Sequence, residues 1–79
     1  MQLSYDSRHN IAYIRLHQKT AEVRTVRVSE EICVDIGPDG TVCGIELLNA
    51  NSQLQAEDQG NLVLINEALG ERLEIPLGK

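Results

Sequence analysis

The feature that most constrains this chain is a period of two. In "NIAYIRLH", Ala12, Ile14 and Leu16 fall on one side of an extended backbone and Ile11, Tyr13 and Arg15 on the other. Alternation in a β-branched and aromatic setting fits a strand, because successive side chains leave a strand on opposite faces. The same texture recurs on both sides of this segment. "MQLSYD" puts Met1, Leu3 and Tyr5 on one face, and the polar "DSRHN" between the two segments predicts a hairpin. "HQKT" then separates the second strand from a third in "AEVRTVRV", and "VSEEI" breaks the chain again before "ICVDI".

The segment "DIGPDGTVCGIELLNA" admits two readings. Asp35, Asp39, Gly40 and Glu46 stand where a calcium-binding EF-hand loop has its first, fifth, sixth and twelfth residues. Such a loop must deliver six or seven oxygens between two helices. Here the third position is Gly37, the ninth is the soft ligand Cys43, and the flanks read as strands. A hairpin accounts for the same residues without a metal: Pro38 pre-sets φ at the first central turn position, Asp39 suits the second, and Gly40 tolerates positive φ. With Pro38 and Asp39 central, Ile36 is expected opposite Thr41, Val34 opposite Cys43 and Ile32 opposite Ile45. One face would then carry Ile32, Val34, Ile36, Cys43, Ile45 and Leu47, with Cys33 pointing the other way. We therefore read a turn and assign no metal ligand.

After Leu48 the alternation stops. Ser52 is the expected N-cap of a short helix running through Glu57 and ended by Gly60. "NLVLI" reads as a strand, although Leu62, Ile65 and Leu69 also fit helical spacing and leave residues 62–72 open between strand and helix. "ERLEIPL" alternates Leu73, Ile75 and Leu77 against Glu74 and Pro76, and the proline, which has no N–H to donate, confines it to an edge or a strand end. The expected fold is one domain over residues 1–79, mainly β: an antiparallel meander of five to seven short strands with one short helix. The alternative is α+β, should the Gln53–Glu57 region prove to be a long helix.

A chain of 79 residues without Phe or Trp, and with Tyr5 and Tyr13 as its aromatic residues, must build an aliphatic core. A domain this short hides only about 60% of the surface its unfolded chain exposes. A small core without a disulfide or metal is a common reason for association, so a homo-oligomer, in the first instance a homodimer, is expected.

The net charge of −5 is unevenly distributed. Arg8, Arg15, Lys19, Arg24 and Arg27 face only Asp6 and Glu22 in the first 28 residues. The other ten of the 12 carboxylates follow Ser29, opposed by Arg72 and Lys79. An acidic balance with two aromatics is a poor footprint for nucleic acid, which calls for a basic surface and stacking side chains. It fits charge matching between subunits, or a basic protein partner. No apolar run approaches the roughly 20 residues of a membrane span, and "MQLSYDSRHN" lacks the form of a secretory signal, so the expected location is cytoplasmic, without a membrane partner. Cys33 and Cys43 are then expected as thiols.

Reactive constellations are sparse. His9 and His17 mark the two ends of the second strand, some ~25 Å apart at about 3.3 Å per residue, and cannot share one ligand set in a monomer. Cys33 has no local nucleophile signature, and the carboxylate pairs Glu30–Glu31 and Glu57–Asp58 lie in polar, turn-like stretches. No catalytic residue, cofactor site or metal site is assigned.

Taken together, "YDSRHNIAYIRL" and "VDIGPDGTVCGIELLNANSQL" resemble a family of small uncharacterised prokaryotic proteins marked by a Tyr-Asp opening, an aromatic-Ile-x-Leu strand and an Asp-x-x-x-x-Gly-x-x-x-Gly-Ile-Glu hairpin. The likeness spans Tyr5 to Leu54. It departs at Asn10, where many members have Asp, and leaves the segment from Gln55 to Lys79 outside. The resemblance implies a compact β-rich domain and no activity. Some members being encoded beside small toxins, it also implies an antitoxin-like partner role.

The functional expectation is a non-enzymatic protein-interaction module, antitoxin-like or regulatory, acting through its acidic surface or an exposed strand edge. The alternative is a small hydrolase or metal-dependent enzyme assembled across a dimer interface, using His9 or His17 with Asp35 or Glu46 of the other subunit. The expected interface residues are Leu73, Ile75 and Leu77 on a C-terminal edge strand. Glu71 and Glu74 beside them would match the basic strand of Arg24 and Arg27, in the same subunit or a second one.

Overall fold

A computed structural model describes residues 1–19 and 22–77. Among them the chain forms seven strands: β1 (Gln2–Asp6), β2 (Ile11–Arg15), β3 (Arg24–Arg27), β4 (Ile32–Ile36), β5 (Val42–Leu48), β6 (Asn61–Asn66) and β7 (Glu71–Pro76). A short helix, α1 (Ala50–Gln55), and one 3-10 turn at Asp58–Gly60 lie between β5 and β6. The mainly antiparallel β fold is the one the alternation implies. The expected third strand began at Ala21, which lies outside the described residues.

Five strands make one sheet in the order β1-β2-β5-β4-β3, every neighbouring pair antiparallel. A hairpin (β1–β2) and a three-stranded meander (β3–β4–β5) are joined where β2 pairs with β5, with Tyr13 opposite Glu46 and Ile14 opposite Ile45. β6 and β7 form a separate two-stranded ribbon, pairing Leu62 with Ile75 and Leu64 with Leu73. Residues 62–72 are thus strand, turn and strand, and not helix. β7 is an edge strand paired to β6 and not to the basic strand β3, so the same-subunit pairing with Arg24 and Arg27 is not what forms.

The β4–β5 turn places Pro38 and Asp39 centrally, since Gly40 N–H donates to the Gly37 carbonyl at 3.0 Å. The register, however, is not the expected one. Gly40 adopts φ +86° and becomes a third loop residue, so Ile36 sits opposite Val42. A second shift between Asp35 and Ile36 then brings Asp35 opposite Gly44, Val34 opposite Ile45 and Ile32 opposite Leu47. Two one-residue shifts restore parity: Ile32, Val34, Ile36, Ile45 and Leu47 keep their common face, with Ile45 in the place expected of Cys43 opposite Val34.

The helix also begins earlier than expected. Its N-cap is Asn49, at φ 52°, and Ser52 lies inside it. The chain leaves β5 through this left-handed residue, and the first free N–H groups are capped from elsewhere in the fold. Asn10, in the β1–β2 turn, accepts from Ala50 N–H through its carbonyl (3.0 Å) and from Asn51 N–H through Oδ1 (2.7 Å). Gln53 Nε2 donates to the carbonyls of Leu48 (2.6 Å) and Glu31 (3.0 Å), tying the helix to the β3–β4 turn. The helix stops at Gln55, and Gly60 closes the separate 3-10 turn.

One face of the sheet carries Leu3, Ile14, Val26, Ile32, Val34, Ile36, Ile45 and Leu47. The buried apolar residues of the described chain are nevertheless only Ala12, Cys33, Cys43 and Ala50, and no large side chain among them is fully enclosed. Ala50 docks the helix onto the sheet. A crevice of about 220 Å³ between sheet, helix and ribbon is lined by Leu3, Ile14, Leu47, Leu54, Leu62 and Leu77, among others. No helix of the described residues is long and apolar enough to cross a membrane.

The Asn10 bridge makes a prediction. Asn10→Ala removes the Oδ1 acceptor and places a β-carbon residue at φ 57° without local hydrogen bonding, so it should cost about 1–3 kcal/mol of unfolding free energy. Asn10→Asp keeps the acceptor and should stay within about 1 kcal/mol of the parent. Urea denaturation of the three proteins measures both.

Candidate functional site

The face opposite the apolar one is organised around a carboxylate. Asp35 on β4 is 6% exposed, the one buried charged residue among those described. A buried carboxylate persists only when donors satisfy its oxygens. Thr25 Oγ1 on β3 donates to Oδ1 at 2.6 Å, and Tyr13 Oη on β2 donates to Oδ2 at 2.8 Å. Lys19 Nζ, from the segment after β2, reaches Oδ2 at 3.0 Å and lies 4.7 Å from the centroid of the Tyr13 ring. Thr25 stands directly opposite Asp35, whereas Tyr13 reaches it across the intervening strand β5.

Gly44 permits that reach. It is the β5 residue between Asp35 on one side and Arg15 on the other, and the Tyr13 ring lies over it. A β-carbon at residue 44 would stand 2.7 Å from Tyr13 Cε2 and closer still to Cζ and the hydroxyl. The aromatic ring takes the space that a side chain would occupy, covering a glycine in the interior of a strand.

The ionisation of the cluster follows its contacts. Burial is the largest single influence on Asp35 and opposes its charge. The hydrogen bonds from Thr25, Lys19 and Tyr13, with the lysine's charge, together outweigh it and hold the carboxyl below the usual aspartate range. Burial and the neighbouring carboxylate raise the Tyr13 hydroxyl; the hydrogen bond to Asp35 raises the Lys19 amine. Every oxygen of Asp35 is already engaged, which makes the cluster a fastening of β2, β3 and β4 and not a vacant acid or base.

Other candidates are dispersed. Asp39 Oδ1 accepts from Thr41 N–H at 3.0 Å and so serves the turn. Glu46 stands opposite Tyr13 and Cys33. His9 Nδ1 is bonded to Asp6 Oδ2 at 2.8 Å at the β1–β2 turn; exposed His17 donates its backbone N–H to the Cys43 carbonyl at the other end of β2. Cys33 and Cys43 are buried free thiols. Among the described residues no three His, Cys, Asp or Glu side chains are grouped so as to hold a metal ion.

The expected interface residues fall into two groups that the protomer does not bring together. Arg24 and Arg27 are exposed on β3, the outer strand of the sheet, with Arg27 Nη2 donating to the Glu30 carbonyl at 3.1 Å. Leu73 and Ile75 lie on one face of the ribbon with Leu62 and Leu64, an aliphatic ladder whose inner end, Leu62, lines the crevice and whose remainder is left in solvent: Leu64 is 59% exposed, Leu73 54% and Ile75 40%. Leu77 instead turns into the crevice, its N–H donating to the Gly60 carbonyl at 3.4 Å. The polar cluster was not anticipated from the sequence; the glycine inside the strand-like run "TVCGIELL" was the available signal for it.

An antiparallel sheet fastened on its polar face by a buried aspartate, with a helix and a two-stranded ribbon beside the other, defines a small β domain. Residues 2–51 match the family described as a protein of unknown function, DUF2283, and the chain belongs to that family. No curated protein and no solved structure matches it. The matched span covers the five-stranded sheet and the start of α1; the ribbon lies beyond it.

The lowered Asp35 carboxyl fixes the sign of a pH effect. A carboxylate whose folded pKa lies below its unfolded value adds stability above the unfolded pKa and loses it as pH falls through the folded one. Stability should therefore fall below about pH 4. Asp35→Asn should lower neutral-pH stability by about 1–3 kcal/mol and flatten the acid limb. The remaining slope belongs to other carboxylates, including Asp6, lowered chiefly by its hydrogen bond with His9, and Asp39, lowered chiefly by Thr41 N–H. Urea titrations of both proteins between pH 2 and pH 7 decide the point.

Proposed function

We propose that this chain is a non-enzymatic protein-interaction module whose docking element is the β6–β7 ribbon. The observation that carries the reading is the aliphatic ladder of Leu62, Leu64, Leu73 and Ile75, held at strand spacing on an element that shares no sheet with the rest of the fold. An isolated two-stranded ribbon is marginal in water, and an exposed apolar face of this kind gains stability when another surface covers it. Glu71 lies on the ladder's own face and Glu67 in the adjoining turn, so the surface that fits is apolar with a basic rim. An antitoxin-like or regulatory role is the form such a module takes when its partner is a second protein whose action it restrains. No observation favours the alternative of a hydrolase or metal enzyme shared between subunits, in which the engaged Asp35 would have to be released from three donors.

The test is affinity capture with the intact chain and with Leu64→Asp/Leu73→Asp. Both substituted side chains are exposed, so the five-stranded sheet should persist. Proteins held by the parent should be lost by the variant, and association should slow as salt is raised. Equal retention by both chains would refute a docking role for the ribbon.

A further inference from the structure

Two apolar surfaces are left without a cover among the described residues, and each has the properties the other requires. The first is the β4–β3 half of the sheet's apolar face. Val26, Ile32, Val34 and Ile36 are all only half-buried there, and Arg24 shares their face at the outer strand. The second is the ribbon ladder, whose outer end carries Glu71, paired with Asn66 on the same face as Leu64 and Leu73. Both surfaces are aliphatic and lack rings, one ends in a cation and the other in a carboxylate. Within the protomer the crevice residues that meet the ribbon are Leu3, Ile14 and Leu47, from the β1, β2 and β5 part of the sheet; the ladder's outer half remains in solvent.

We infer that a second copy of this chain covers both surfaces. In a two-fold dimer the ribbon of each protomer lies ladder-down on the β4–β3 half of its partner's sheet, with Arg24 facing Glu71 of the partner subunit. Two-fold symmetry makes such a contact reciprocal, so one interface buries two ladders and two half-faces and forms two ion pairs. Burial within the protomer points the same way. A domain of this length with no fully enclosed Leu, Ile or Val among its described residues has too small a core of its own, and association is the usual remedy. This inference rests on the reading of β6–β7 as a docking element and names its occupant.

Sedimentation equilibrium over a range of concentrations, with the intact chain, tests it. The parent should be dimeric at micromolar concentration. Leu64→Asp/Leu73→Asp should weaken dimerisation by at least about 100-fold, since charges would enter the centre of an apolar interface. Arg24→Glu and Glu71→Arg should each weaken it by about threefold to tenfold, and the two together in one chain should restore it, because the pair is re-formed with its signs exchanged. NMR amide shifts of β2 and β5 report that the sheet stays folded in every variant. A parent that is monomeric throughout, a dimer that survives the ladder substitutions, or a double swap no tighter than its singles would overturn the inference. The first outcome would leave capture of other proteins by the ribbon as a separate, measurable matter; the second would count against the ribbon as a docking element altogether.

Discussion

A β-sheet with one apolar face must have that face covered, and the described residues of this chain cover it only in part. The five-stranded sheet presents aliphatic residues from every strand on one side, yet the elements available beyond β5 are a six-residue helix, a single 3-10 turn and a ribbon of two short strands. Ala50 and Leu54 close over the middle of the sheet, and the crevice beside them receives Leu62 and Leu77. The outer strands are left half open. The hydrophobic effect scales with apolar area removed from water, so the arrangement of the whole molecule reflects this deficit.

The opposite face needs no such cover because it seals itself with polar chemistry. Asp35 gathers a hydroxyl from β3, a phenol from β2 and an amine from the segment after β2, spanning a width of sheet that main-chain pairing links only through neighbours. The half-exposed Lys19 adds little energy on its own, under about 1 kcal/mol for a solvated pair. The part-buried hydroxyl bonds matter more: Thr25 is the side-chain donor to Oδ1, and its loss would leave that carboxylate oxygen unpaired, whereas Oδ2 is shared by Tyr13 and Lys19. Gly44 is part of the same device, providing the gap through which Tyr13 reaches. A sheet fixed in this way on one side can present its other side as a stable surface.

Local periodicity made most of the strands legible. Period-two patterns placed β1, β2, β4 and β5, and the Gly-Pro-Asp-Gly turn was recognisable from φ preferences alone. The register past that turn was not, because the third loop residue at Gly40 and the shift near Asp35 are settled by tertiary packing; their cancellation preserved the apolar face while bringing Ile45, not Cys43, opposite Val34. The helix start was misplaced for a similar reason. Ser52 is the best local cap, but Asn10, some forty residues upstream, supplies the acceptors that the helix uses. The aspartate cluster was illegible in sequence because Tyr13, Lys19, Thr25 and Asp35 share no spacing; only the strand order brings them together. Leu73 and Ile75 were readable as an exposed apolar edge from alternation and a proline, whereas Leu77, at the same spacing, left the strand and turned inward.

A second copy, on this view, completes the apolar surface that the fold leaves open. The most direct test is the dependence of the melting temperature on protein concentration, followed by circular dichroism. Unfolding coupled to dissociation obeys mass action, so the melting temperature should rise by about 3–5 °C for each tenfold increase in concentration. A melting temperature that stays constant across three decades of concentration would contradict it.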